Sequence, residues 1–206
     1  MKKLIWMVLP ALLVLASCSS TKVTESWSDN AAKPAMKKIL VLGLFNDRDR
    51  NLRIQMERQL VNDLKAYGYE AVSSYDAYGP KSFGSMDEQK ALQKLKDNSI
   101  EGVVTIALLD RSRERRFVPG GLGYPYGPGF WGYYSYYSPR IYQPGYYETN
   151  TNYYFETNLY NTGDSNKLLY SAQSKSLDPS SVRALADQYA RTIVKDMRKK
   201  SVLSEG

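Results

Sequence analysis

The chain offers few side chains that could do chemistry, because it contains a single cysteine and no histidine. Without histidine there is no Ser-His-Asp or Cys-His nucleophile system and no histidine-containing zinc site. The cysteine, Cys18, ends the sequence Leu15-Ala16-Ser17-Cys18. Catalysis would have to use carboxylates, lysine or tyrosine. We therefore expect no enzymatic activity and no metal site, with an enzyme of unknown type as the third hypothesis after the two developed below.

The segment before Cys18 has the features of a secretory signal. Lys2 and Lys3 are followed by an apolar run over residues 4–16, which is too short to remain as a membrane-spanning anchor. Together with the small residues before the cysteine, it resembles the lipobox of bacterial lipoproteins. The resemblance implies cleavage after residue 17, a diacylglycerol on the Cys18 sulfur and a further acyl chain on the new amino terminus. Two or more acyl chains give stable anchoring, and we expect no cofactor besides this covalent lipid.

An arginine-rich segment is the first candidate binding site. Arg111, Arg113 and Arg115 alternate with other residues directly after an apolar strand. If the strand continues, the three guanidinium groups point the same way and could bind carboxylate or phosphate in a bidentate manner. The alternative is a solvated strand end in which Asp110 and Glu114 are the partners of the arginines.

An aromatic segment is the second candidate binding site. Residues 118–147 are dominated by glycine, proline and tyrosine, with no helical or strand period. Aromatic faces suit sugar rings or protein hot spots. The alternative is a low-complexity insertion without a defined ligand. The candidate side chains are Trp131, Tyr133, Tyr134, Tyr136 and Tyr137.

The rest of the chain predicts the elements that would position these residues. Apolar strands at residues 38–45, 69–75 and 100–109 alternate with two amphipathic helices, which predicts a parallel βαβαβ core. A β-hairpin at residues 153–172 and a helix starting after Asp178-Pro179 follow. We therefore predict an α/β (α+β) fold with a mixed sheet, an antiparallel hairpin, a C-terminal helix and helices mainly on one face.

The predicted domain organisation follows composition. Residues 1–17 are a signal peptide, residues 18–36 a polar lipidated tether, and residues 37–206 a single α/β domain with an insertion at 118–147. The formal net charge of +7 is a mild basic excess. With an export signal and no nucleic-acid motif, it does not indicate nucleic-acid binding.

Several structural motifs carry a family resemblance. Thr24-Glu25-Ser26-Trp27, the strand KKILVLGL, Met56-Glu57-Arg58-Gln59-Leu60 and Asp178-Pro179 resemble a family of uncharacterised bacterial lipoproteins. The pattern is more loosely similar to the TolB amino-terminal domain, LpoB and CsgG. The resemblance implies a periplasmic α/β domain that binds other envelope proteins, and it supplies no active-site residues. The insertion at 118–147 is not part of the shared pattern.

The lipoprotein resemblance implies anchoring at the periplasmic face of the outer membrane, because Ser19 stands where an aspartate is the usual inner-membrane retention signal. Exposure at the cell surface stays open as an alternative, because no acidic run follows Cys18. The first hypothesis is a non-catalytic binding or scaffolding module in envelope assembly or maintenance. The alternative is a lipoprotein that binds peptidoglycan or another envelope glycan through the aromatic segment. The expected partners are the membrane, through the lipid anchor, and envelope proteins.

Overall fold

Six strands and four helices make up the described part of the chain, which a computed structural model provides for residues 20–29, 36–81, 83–84, 86–118, 146–162 and 166–203. In chain order the elements are β1 (Thr21–Ser28), β2 (Lys38–Leu44), a 3₁₀ turn (Asp47–Asp49), α1 (Arg50–Ala66), β3 (Glu70–Ser73), α2 (Ser74–Tyr78), α3 (Glu88–Asp97), β4 (Gly102–Val118), β5 (Tyr146–Asn161), β6 (Lys167–Leu177) and α4 (Val182–Lys199).

The strands form one mixed sheet in the order β1-β6-β5-β4-β2-β3. Strand β2 pairs in parallel with β3 on one side and β4 on the other. Strands β4, β5, β6 and β1 pair antiparallel in that order. The predicted mixed sheet, with a parallel βαβαβ core followed by an antiparallel hairpin and a C-terminal helix, is confirmed.

Helices α1 and α4 cover one face of the sheet. Their apolar residues recur every three or four positions, so each helix buries one stripe against the strands. Ile39 and Val41 of β2 point into this core, whereas Leu40 points to the opposite face and packs with Leu95 of α3. The two long helices therefore share a face, as predicted, and α3 covers only the parallel part of the other face. The helical residues of the main core include Leu52, Met56, Leu60, Leu64, Leu185, Tyr189, Ile193 and Met197.

The prediction of a tether at 18–36 is wrong for residues 21–28, because these residues form β1 at one edge of the sheet. The Thr21 side chain is buried and its hydroxyl lies 2.7 Å from that of Ser176. An edge strand with one exposed face needs few apolar residues, so its composition resembles that of a linker. The folded domain therefore includes β1 and extends upstream of the predicted boundary at residue 37.

The predicted insertion also has different limits. Strand β4 continues to Val118 and β5 starts at Tyr146, so both ends of the 118–147 segment belong to the sheet. Residues 119–145, with Trp131, Tyr133, Tyr134, Tyr136 and Tyr137, lie outside the described residues, as do residues 1–19 with Cys18. In the part of the chain that is described, no helix is long and apolar enough to cross a membrane.

Two core tyrosines should lower the free energy of unfolding at alkaline pH. Burial raises the pKa of Tyr189, and burial followed by a hydrogen bond to Asp196 raises the pKa of Tyr170. Both groups stay protonated in the folded state, so their contribution is fully present below an unfolded pKa of about 10 and is lost as the pH rises above it. Because two tyrosines each keep a proton that the unfolded chain releases, the free energy of unfolding should fall by about 2.7 kcal/mol for each pH unit above 10.

Urea denaturation at a series of alkaline pH values measures this slope. The matched variant Tyr189→Phe removes one of the two titrating groups, so we expect its slope to be about half that of the wild type. An unchanged slope in this variant would contradict the assignment to Tyr189.

Candidate functional site

A two-stranded arm extends from the sheet beyond the strands on either side of it. Strand β2 pairs with β4 only as far as Ala107, and β6 pairs with β5 only as far as Asn152. Among the strands that the structure describes, residues 113–118 and 146–151 therefore pair only with each other, and Asp178 bonds to Thr151 at their base. We call this ribbon the arm. At the rise of a β-strand, its six residue pairs span about 20 Å.

The pairing register decides which side chains share a face of the arm. A bulge between Leu108 and Asp110 resets the alternation, after which Arg111, Arg113 and Arg115 lie opposite Tyr153, Thr151 and Thr149. Since successive residues of a strand point to opposite faces, these six side chains lie on one face. The register thus brings the three predicted arginines together with aromatic and hydroxyl groups.

Arg111 holds the base of the arm against the body of the domain. Its guanidinium forms an ion pair with Asp49, which precedes α1, and lies 5.1 Å from the centre of the Tyr153 ring. Tyr153 in turn stacks on Phe155, with ring centres 6.2 Å apart and planes 3° from parallel. Arg111 is therefore engaged within the fold, unlike the other two predicted arginines.

Arg113 and Arg115 lie further along the arm and are exposed. The Arg115 guanidinium is 5.5 Å from the centre of the Tyr147 ring, and Tyr147 is 64% exposed. Within the described part of the chain, the Arg113 side chain makes no hydrogen bond or ion pair. An exposed guanidinium group can bind a carboxylate or phosphate through two parallel hydrogen bonds.

The opposite face of the arm carries Asp110 and Glu114, the acidic residues closest to the arginines in the sequence. Glu114 accepts a hydrogen bond of 2.8 Å from Asn152, and Asp110 alternates to the same side. The alternative interpretation is therefore correct in part: Arg113 and Arg115 are exposed, as at a solvated strand end, but strand alternation places Asp110 and Glu114 on the face opposite them. Arg116 also lies on this second face and is exposed.

Glu57 was missed by the sequence analysis and lies at the carboxyl edge of β2 and β3. Its side chain on α1 is completely buried and forms an ion pair with Arg53 at 2.8 Å. Five donors surround the carboxylate: Gly43 N, Arg53 Nε and Ser74 Oγ on Oε1, and Ser73 Oγ and Tyr75 N on Oε2, at 2.6–3.1 Å. With its lone pairs occupied and no contact with solvent, this carboxylate is placed to stabilise the fold.

Gly43 makes this arrangement possible. A Cβ atom at this position would lie 2.8 Å from Cγ of Arg53 and 3.0 Å from Oε1 of Glu57. A lone glycine inside an apolar strand often marks a close approach of this kind. Together with a glutamate beside the apolar stripe of α1, it was the signal that could have revealed the cluster.

The edge of the sheet beside Glu57 also carries a cavity of about 360 Å³, lined by Leu42, Leu44, Phe45, Arg53, Lys81 and Phe83 among others. The carboxyl ends of parallel strands are common ligand sites. Here, however, the Arg53 side chain already donates to Glu57, Ser74 and Pro80. Among the described residues, no group of three or more acidic, histidine or cysteine side chains could hold a metal ion. The arm is thus the better candidate site.

The described fold is a mixed α/β sheet domain with a basic, aromatic arm. No protein family profile matches the chain, and no curated protein matches it. Among solved structures, it is similar to the PelC dodecamer from Paraburkholderia phytofirmans, with 15% identity, a TM-score of 0.46, and coverage of 89% of this chain and 99% of that one.

The chain is also similar to lipoprotein GNA1162 from Neisseria meningitidis, with 12% identity, a TM-score of 0.43, and coverage of 79% and 98%. A PDZ domain protein from Parabacteroides distasonis has 13% identity and a TM-score of 0.39, with 91% of this chain but 36% of that one covered. Identities this low concern the fold alone, and TM-scores as low as these carry no argument about function.

Proposed function

We propose that the protein is a lipoprotein, anchored through Cys18 at the periplasmic face of the outer membrane, that works there as a non-catalytic binding module in envelope assembly or maintenance. The observation that carries the proposal is the arm, whose Arg113 and Arg115 are exposed on a ribbon that leaves the sheet. The lipobox-like sequence before Cys18 supports the location.

The arm residues whose side chains are described, 113–116 and 147–151, lie outside both hydrophobic clusters. A two-stranded ribbon is at best marginally stable by itself. Guanidinium groups that extend away from the fold are better placed to bind anionic groups than to stabilise the domain. Glu57, the carboxylate at the sheet edge, is saturated with donors, which further favours binding over catalysis.

A photocrosslinking residue at position 149, opposite Arg115, tests the proposal in intact envelopes. We expect crosslinks to an envelope component that exceed those from the matched position Gln173, which is exposed on β6. The double variant Arg113→Gln/Arg115→Gln should remove them. Crosslinking at position 149 no stronger than at position 173 would contradict a binding role for the arm.

A glycan ligand is the second candidate, because Tyr147 presents an exposed ring beside Arg115. Aromatic rings stack on sugar faces while guanidinium groups bind anionic substituents. Sedimentation of the protein with purified peptidoglycan tests it. We expect Tyr147→Ala to abolish co-sedimentation if the glycan is the ligand, and wild-type protein that stays in the supernatant would exclude it.

A further inference from the structure

We infer that Arg113 and Arg115 of the arm bind the phosphate headgroups of the same membrane that holds the chain's own lipid. The inference rests on the lipid anchor of the proposed function and names the partner of the arm. Three observations support it. Ser20 is bonded to the edge of the domain, only Ser19 separates Ser20 from Cys18, and the arm leaves the sheet at the same end as Ser20.

Ser20 is held firmly at the edge of the domain. Its backbone nitrogen and its hydroxyl lie 2.9 and 2.7 Å from Oε1 of Gln188 on α4, and its carbonyl accepts a hydrogen bond of 2.9 Å from Leu177 N. Only Ser19 lies between Ser20 and the predicted lipidation site. Two residues of extended chain span at most about 7 Å. The domain therefore cannot move far from the membrane surface.

The arm leaves the sheet at the same end. Leu177, bonded to Ser20, pairs with Asn152, and the next residue, Asp178, donates from its backbone nitrogen to the Thr151 carbonyl at 2.9 Å. Thr151 pairs with Arg113. From Ser20 to the base of the arm there are three strand spacings, or about 15 Å. The arm thus starts close to the point where the anchor leaves the domain.

The arm is longer than the chain that connects the domain to the lipid, so it can reach the membrane surface. The arm extends about 20 Å beyond the sheet, whereas the connection to the lipid is at most about 7 Å long. Neighbouring strands twist by about 20–25°, so over three spacings the arm turns well away from the direction of β1. This twist favours an arm that lies along the membrane surface, within reach of the headgroups.

The chemistry of the arm fits this position. Arg113 and Arg115 are exposed cations, and each basic residue close to an anionic leaflet strengthens binding about fivefold. The exposed Tyr147 ring beside Arg115 belongs to the aromatic type that is enriched at membrane interfaces. Arg116 lies on the other face of the ribbon and provides a matched control of equal charge.

Depth-dependent fluorescence quenching tests the inference on the full lipidated protein. Because Cys18 is the chain's only cysteine and its sulfur carries the lipid, Thr149→Cys provides a single labelling site on the arm. In vesicles of phosphatidylglycerol and phosphatidylethanolamine, we expect headgroup-attached quenchers to quench this label. A label at Lys96→Cys, in the last turn of α3 at the opposite end of the sheet, should stay unquenched.

Charge variants identify the groups responsible. Arg113→Gln/Arg115→Gln should lower the equilibrium constant for docking of the arm about 25-fold, and pure phosphatidylcholine vesicles should have a similar effect. Arg116→Gln should lower this constant less than Arg113→Gln or Arg115→Gln does alone. An equal loss from Arg116→Gln, or quenching that the double variant leaves unchanged, would overturn the assignment to Arg113 and Arg115.

Other outcomes separate this inference from the proposed function. If the protein does not float with vesicles, the lipid anchor of the proposed function fails. If it floats but position 149 is not quenched, only the membrane contact of the arm fails. If position 149 crosslinks to an envelope protein instead of to lipid, the partner is a protein, which overturns the inference and supports the binding module.

Discussion

Replacing Glu57 with alanine should destabilise the domain by about 3–5 kcal/mol, the usual cost of removing one partner from a buried ion pair. Arg53 would lose its carboxylate while its side chain is only 12% exposed. The backbone nitrogens of Gly43 and Tyr75 would lose their acceptor at the same time. Since no disulfide is available to a chain with one cysteine, this loss is a large part of a typical domain's stability.

Urea denaturation midpoints measure the effect. Glu57→Gln keeps the size of the side chain and one acceptor oxygen, so we expect an intermediate loss. Arg58→Gln is a matched control on the same helix, because it removes an exposed ion pair with Asp76 and should leave the midpoint close to wild type. A wild-type midpoint for Glu57→Ala would show that the cluster does not stabilise the fold.

Replacing Cys18 with alanine should abolish lipidation completely, because the chain has no second cysteine to accept the diacylglycerol. The variant should accumulate as a precursor that still carries residues 1–17 and takes up no labelled palmitate. Loss of the acyl chains removes the only strong membrane anchor that the sequence predicts. Metabolic labelling and fractionation of the envelope measure both effects.

Ser19→Ala is the matched control for this experiment, since it changes the neighbouring residue without touching the acceptor sulfur. We expect normal processing and outer-membrane sorting, whereas Ser19→Asp should retain the protein in the inner membrane. Continued palmitate incorporation by Cys18→Ala would contradict the lipobox interpretation.

The sequence predicted the elements that have a long, regular apolar pattern, whereas the strand predicted at 69–75 ends at Ser73 and residues 74–78 form α2. The continuous apolar run at residues 38–45 became β2, the middle strand of the parallel part of the sheet, and the spacing of Leu52, Met56, Leu60 and Leu64 became the buried stripe of α1. The alternation of strands and helices was enough to predict the parallel core. In each case the residues that decide the element are close together in the chain, so their periodicity is visible without knowledge of their partners.

Strand β1 shows where local patterns fail. Its partner, β6, lies about 150 residues further along the chain, with Thr21 opposite Ser176. A polar edge strand is stabilised by backbone hydrogen bonds to that neighbour, and these do not depend on the type of side chain. Composition therefore favoured a tether over residues 18–36, and only tertiary pairing revealed that β1 begins three residues after Cys18, the predicted lipidation site.

Some features of the candidate site could be predicted from the sequence, and others required the tertiary structure. By itself the sequence predicted a single acceptor for lipid, excluded histidine chemistry and indicated the alternation that places Arg111, Arg113 and Arg115 on one face. Only the tertiary structure decided that Asp49 engages Arg111 while Arg113 and Arg115 stay exposed. It also decided that Glu57 is buried among five donors and that the arm shares an end of the sheet with Ser20. These features depend on contacts between residues far apart in the chain, which no local spacing encodes.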